Sequence, residues 1–221
     1  MEVNRTRALR GPNLWSRHTA IEAVVTCDGA ERDLSAKSAF EKRLRELFPS
    51  VGALHANKPS TPISMAHALE LTALALQAEA GCPVTFSRTT ETEIPGTFQV
   101  AVQYTEEAVG RLALKKAEAL CAAAAAGTDF DVTAVIAELH ELDEDERLGP
   151  STGAIVDAAV KRGIPFKRLT SGSLVRLGWG SRQRLIQAAE VDGTSAIAEA
   201  IAQDKDLTKK LLHSAGVPVP L

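Results

Sequence analysis

A charged run near the middle of the chain, Glu141-Leu142-Asp143-Glu144-Asp145-Glu146-Arg147, separates two stretches of different pattern. Such a run has almost nothing to bury. It reads either as the solvated end of a helix or as a seam between domains. A length of 221 residues allows one large domain or two small ones, each with its own core. The pattern changes after the run, which fits a seam as well as a helix end and leaves one domain or two open.

The first stretch opens with residues 3–9 as a strand, then a turn at Arg10-Gly11-Pro12-Asn13. Ala20 to Cys27 is short and β-branched, the signature of a strand. Leu34-Ser35 opens a helix with an apolar stripe of Phe40, Leu44, Leu47 and Phe48, closed by Pro49. Pro62 to Ala80 is the strongest helical pattern of this half, with Ile63, Ala66, Leu69, Ala73, Leu76 and Ala80 at helical spacing. Val84-Thr85-Phe86 and Phe98 to Tyr104 read as strands around a turn at Pro95-Gly96. Glu106 to Ala125 and Asp131 to Leu142 are further helices. The first carries acids at its start and Lys115-Lys116 later, the order that suits the helix dipole.

In the second stretch a helix runs from Leu148-Gly149-Pro150-Ser151-Thr152 to Arg162, and strands follow near Phe166–Leu169, Leu174–Gly178 and Ser181–Gln187. A turn at Asp192-Gly193 leads to a helix opened by Thr194 and Ser195. A second helix starts after Asp204-Lys205 and stops at Gly216, before Val217-Pro218-Val219-Pro220. The expected class is α/β: an α+β first domain followed by a smaller α/β lobe.

A net charge of −3 argues against a general nucleic-acid binder. No apolar run reaches membrane-spanning length and the start is not a signal peptide. Cys27, Cys82 and Cys121 are odd in number and widely spaced, so they read as reduced core thiols in a cytoplasmic protein.

Several groups carry chemistry. His67 and Glu70 stand three apart on one helical face, a spacing that serves either two metal ligands or a hydrogen-bonded pair. Leu71 follows where a third group would be needed, and the hydrogen-bonded pair is the better reading. Arg5, Arg7, Arg10, Arg17 and His18 make the start locally basic beside Trp15, and Arg88 joins them if its strand is adjacent. These are either scattered solvated charges or an anion-binding face. Ser151 and Thr152 at a helix start serve as caps or as an anion site, and the same holds for Thr194 and Ser195 after Gly193. Lys205, in Asp204-Lys205-Asp206-Leu207-Thr208-Lys209, is a solvated charge or a phosphate contact.

Four blocks together resemble one family. They are Arg7-Ala8-Leu9-Arg10-Gly11-Pro12-Asn13-Leu14-Trp15-Ser16; Gly81-Cys82-Pro83-Val84-Thr85-Phe86-Ser87-Arg88-Thr89; Leu148 to Thr152 with Arg162-Gly163-Ile164-Pro165; and Gln183 to Ala188 through Thr194-Ser195 to Lys209. In order and spacing they resemble the cyanophycin synthetases. That resemblance implies a cytoplasmic, ATP-dependent ligase, usually homotetrameric. Such an enzyme makes a polyaspartate backbone with arginine on each side-chain carboxylate, through acyl-phosphate intermediates. An N-terminal domain holds the polymer, an ATP-grasp domain adds aspartate, and a third domain adds arginine, with ATP and Mg2+ serving both sites.

Carried onto this chain, the resemblance makes residues 1–147 the polymer-holding domain, with Arg10, Trp15 and Arg88 as its contacts. Residues 148–221 become the first lobe of the ATP-grasp domain, with Lys205 toward nucleotide phosphate. Ser151, Thr152, Arg184, Thr194, Ser195 and Glu199 would face the polymer end or the incoming aspartate. No catalytic or metal-binding residue is expected within these residues. Some family members carry H-x-x-E-H where this chain has His67-Ala68-Leu69-Glu70-Leu71, so the metal-dependent polymer cleavage linked to that motif is expected to be absent. The second ATP-grasp lobe does not occur in the sequence, so the piece alone is expected to bind polymer without ligase activity. The alternative is a non-catalytic module that binds polymer or docks on a full-length synthetase.

Overall fold

The structure is a computed structural model and describes residues 1–34, 38–54, 63–188 and 190–220. It divides into two compact units, Met1–Glu146 and Arg147–Leu221, which meet within the charged run. Ser35 and Pro62, where the sequence pattern opens two helices, and Leu221 lie outside the described residues.

The first unit contains strands β1 (Glu2–Leu9), β2 (Ala20–Thr26), β3 (Ser87–Glu91) and β4 (Thr97–Gln103), and helices α1 (Ser38–Leu47), α2 (Met65–Glu79), α3 (Glu107–Ala126) and α4 (Val132–Glu146). The strands form one sheet in the order β1-β2-β4-β3, antiparallel throughout. Alternation sends Ile21, Ala23, Val25, Phe98, Val100 and Val102 to one face, where they join the core with Leu69, Leu76, Leu120 and Leu139. Helix α2 is buried nearly all round, as its unusually apolar sequence requires, and Ser64 Oγ caps it by accepting from His67 N. Gln77 on α2 donates to the Gln103 carbonyl at 2.9 Å, tying helix to sheet.

The strand expected over Val84–Phe86 begins three residues later, at Ser87. The side chain of Gln103 explains the delay. Its Oε1 accepts from Thr85 N at 2.9 Å and Phe86 N at 3.0 Å, in place of a ladder carbonyl. Helix α4 also continues through the charged run to Glu146, four residues past the expected stop at Leu142.

The second unit contains α5 (Pro150–Lys161), β5 (Phe166–Arg168), β6 (Leu174–Leu177), β7 (Arg184–Gln187), β8 (Glu190–Val191), α6 (Ala196–Gln203) and α7 (Lys205–Ser214). The four strands form an antiparallel sheet in sequential order. Its core is small: Val156 of α5 meets Val175 and Ile186, flanked by Leu148 and Leu177. The segment expected as one strand over Ser181–Gln187 is a single 3-10 turn at Gly180–Arg182, with Gly180 at φ 61°, and then β7. The two-residue strand β8 has no pattern long enough to be read from sequence. The mixed helix-and-sheet class is as expected, and every strand pairing in both sheets is antiparallel.

Candidate functional site

The helices of the first unit pack on the inward face of its sheet, and the outward face carries the chemistry. Arg7, Glu22, Ala101 and Arg88 stand directly opposite one another on β1, β2, β4 and β3, making one row across the sheet. The next outward row is Arg5, Val24, Gln99 and Thr90. Asn4 is the extra residue of a bulge between Val3 and Arg5, which keeps Arg5 on the outward face.

Glu22 is the centre of this face. It is buried, at 5% exposure. Arg7 Nε donates to its Oε2, and Trp15 Nε1 donates to its Oε1 at 3.0 Å. Burial pushes the Glu22 carboxyl up. The hydrogen bonds from Arg7 and Trp15 and the charges of Arg7 and Arg5 outweigh it and hold the group below the usual carboxylate range. Arg5 and Arg88 are exposed and form no ion pair among the described residues.

The loop that delivers Trp15 is fixed by one side chain. Asn13 Oδ1 accepts from Trp15 N at 2.9 Å and Ser16 N at 3.1 Å. Its Nδ2 donates to the Gly11 carbonyl at 2.9 Å and the His18 carbonyl at 2.7 Å. His18 stacks on Phe86, with ring centroids 6.2 Å apart. Trp15 and Arg88 therefore belong to one face. Arg10 does not share that row: its Nε donates to Glu107 Oε2 at 2.8 Å, at the start of α3.

His67 and Glu70 form a second polar group, on the inward side. His67 Nδ1 and Glu70 Oε2 are 2.9 Å apart, and both residues are buried. Ser87 and Thr89, inward residues of β3, also bear on the Glu70 carboxylate. Burial pushes Glu70 up, but the hydrogen bond with His67 and the neighbouring Thr89 and Ser87 hydroxyls leave it below the usual range. Among the described residues, no group of three or more His, Cys, Asp or Glu is arranged to hold a metal ion. The pair is buried on α2 where that helix packs against the edge strand β3, more enclosed than its spacing alone suggests.

In the second unit Gly149 is the cap of α5 and Pro150 its first residue, so Ser151 and Thr152 lie inside the first turn. Ser151 is exposed, whereas Thr152 is buried at 2%. Arg184 lies 4.0 Å from Asp192. Thr194 Oγ1 accepts from Val191 N, and Ser195 Oγ caps α6 by accepting from Ala198 N at 3.0 Å. Glu199 accepts from Gln203 at 2.9 Å. Lys205 is exposed at the start of α7, which Asp204 caps. No hydrogen bond or ion pair among the described residues joins Ser151 or Thr152 to Arg184, Thr194, Ser195, Glu199 or Lys205.

Sequence reading singled out Trp15 and Arg88 but passed over Glu22, which anchors Trp15 and lies in the same row as Arg88, with Ala101 between. The available signal was parity: an acid in the middle of an apolar strand, out of phase with Ile21, Ala23 and Val25.

A four-stranded antiparallel sheet, backed on one side by helices and open with arginines on the other, defines the first unit as a mixed helix-and-sheet domain. Residues 24–126 of it match the family described as Cyanophycin synthase-like N-terminal domain. All of this chain is 36% identical over 237 residues to a cyanophycin synthetase of Trichormus variabilis. It is 35% identical to that of Geminocystis herdmanii and 33% identical to that of a Synechocystis species, again along its full length. The chain spans about a quarter of the length of these relatives: 26% of the first, 27% of the other two. No helix of the described residues is long and apolar enough to cross a membrane.

Proposed function

We propose that the first unit holds cyanophycin, or a primer of it, across the outward face of its sheet. Each unit of that polymer carries a carboxylate and a guanidinium. Exposed Arg5 and Arg88 suit the carboxylate, and Trp15 offers a flat wall on which a guanidinium stacks. The observation that carries this reading is the row Arg7–Glu22–Ala101–Arg88 with Trp15 bonded to its centre. The row fixes an aromatic and an uncommitted arginine on one rigid surface.

The test is calorimetric titration of short cyanophycin segments into the chain. Arg88→Gln should weaken binding about tenfold, the worth of one charge-assisted hydrogen bond, without moving the melting temperature. A folded chain that binds no segment, or an Arg88→Gln chain that binds as wild type, sinks the proposal.

The second unit, in the same reading, is one wall of the aspartate-adding ATP-grasp site. Lys205, an exposed ammonium with no ion pair among the described residues, is the group offered to nucleotide phosphate. Ser151, Thr194 and Ser195 would lie toward the polymer end or aspartate, and Mg2+ would accompany ATP. Incubating the chain with ATP, Mg2+, aspartate and primer is expected to give binding without elongation. Elongation would overturn the inert part of this reading and leave the holding part intact.

A further inference from the structure

The second unit's sheet also has an outward face, turned away from Val156 of α5. Alternation places Lys167, Arg176 and Leu185 in one row on that face, with Leu174, Gln187 and Glu190 in the next. Lys167 of β5 stands directly opposite Arg176 of β6. Two like charges in directly opposed positions repel and destabilise a sheet. No carboxylate pairs with either among the described residues. Glu190, the acid on this face, belongs to the far strand β8, where its neighbour is Glu199.

Arg176 carries two further marks. Its guanidinium lies over the Trp179 ring, 4.7 Å from the centroid, and Trp179 is itself 59% exposed. Its Nε is buried and has no hydrogen-bond partner among the described residues. The indole thus holds the guanidinium in place while its buried Nε donor goes unmet among the described residues. An unpaired buried donor costs stability.

We infer that this face binds an acidic peptide chain, with Arg176 and Lys167 gripping side-chain carboxylates and Trp179 setting the plane of the guanidinium. A planar fork of N–H donors matches a carboxylate bidentately. Phosphate sites draw on free backbone N–H groups at loops and helix starts. Strand β6 offers none of these, because it sits between β5 and β7 with ladders on both sides. A flat sheet face also suits an extended chain. The surrounding charge agrees: residues 147–221 carry 11 Lys and Arg against 6 Asp and Glu.

The site is separate from the first-unit face and does not rest on the reading given to it, so the test is run with that face disabled. In the full chain carrying Arg5→Gln, Arg88→Gln and Trp15→Phe, Trp179 is the remaining indole of the two. Adding a short oligo-L-aspartate should change its fluorescence saturably, with an affinity that falls as salt rises. Lys167→Gln in that background should weaken binding about tenfold, as the loss of one charge-assisted contact does. The same change should leave the ligand-free melting temperature equal or higher, since it removes the like-charge repulsion. That combination, tighter fold and weaker binding, is not produced by a merely structural lysine. No response to oligo-aspartate overturns the inference. So does a Lys167→Gln chain that binds as before, or a response to inorganic phosphate at matched ionic strength with none to the peptide.

Discussion

Glu22 is a buried carboxylate whose two oxygens are divided between Arg7 and Trp15. Its removal strands the indole N–H and frees the guanidinium. Glu22→Ala should cost about 2 kcal/mol of stability, the range for hydrogen bonds to a charged group, and should shift Trp15 emission as the ring loses its anchor. Chemical denaturation followed by fluorescence measures both. Glu22 and Glu70 are both held below the usual carboxylate range. A depressed carboxyl contributes stability above its unfolded pKa and loses it as pH falls through the folded value. Melting temperature should therefore drop in acid, below the ordinary carboxylate range, and less steeply for Glu22→Gln. The thiols behave oppositely. Burial pushes Cys27 and Cys82 up to about 11 and Cys121 up to about 12. None should be alkylated by iodoacetamide at pH 8 until the fold opens, which mass spectrometry would show. At this scale the sequence exposed the cations and the aromatic, because those side chains advertise themselves. It hid Glu22, because an acid's burial depends on which strand face the register assigns it.

Helix α3 shows what sets the spacing between layers. Gly110 faces the sheet, and a Cβ placed there would lie 2.6 Å from Tyr104 Cβ and 3.1 Å from Ile21 Cγ1. Helix propensity favours Ala over Gly by about 1 kcal/mol, but the contact is with side-chain roots that cannot swing aside. Gly110→Ala should therefore destabilise the first unit by about 1–3 kcal/mol, the usual cost of overpacking. A rise in melting temperature would show that the helix can shift away from the sheet. The long helices were legible from periodicity alone, as was β4 from its alternation, while β2 was legible from its β-branched composition. Strand β3 was misplaced because Gln103 takes over the hydrogen bonds of Thr85 and Phe86, a side-chain substitution that no local pattern reports. Ser151 and Thr152 were read as cap candidates, yet Gly149 and Pro150 already provide the start of α5, an arrangement that propensity at single positions does not decide.

The two units differ in how much they bury. The first has a continuous core running from Ile21 through Leu69 and Leu120 to Leu139. The second has Val156, Val175 and Ile186 at its centre, while α6 and α7 contain no buried residue among those described. Both helices are amphipathic, and Ile197, Leu207, Leu211 and Leu212 stay exposed at 38% or more. The charge divides the same way: residues 1–146 hold 14 Lys and Arg against 22 Asp and Glu, and the basic excess lies beyond the seam. The run at 141–147 contains the acidic last turn of α4, and the two compact units divide at Glu146 and Arg147. A domain below about 70–80 residues rarely gains more than a few kcal/mol from one core, and three central residues supply less. Residues 1–146 expressed alone should therefore melt cooperatively. Residues 147–221 alone should show helical circular dichroism but no sharp transition, and should bind a hydrophobic dye through the uncovered α6–α7 faces. If the short piece melts sharply and ignores the dye, its sheet and helices must bury their apolar faces against one another more fully than Val156, Val175 and Ile186 indicate.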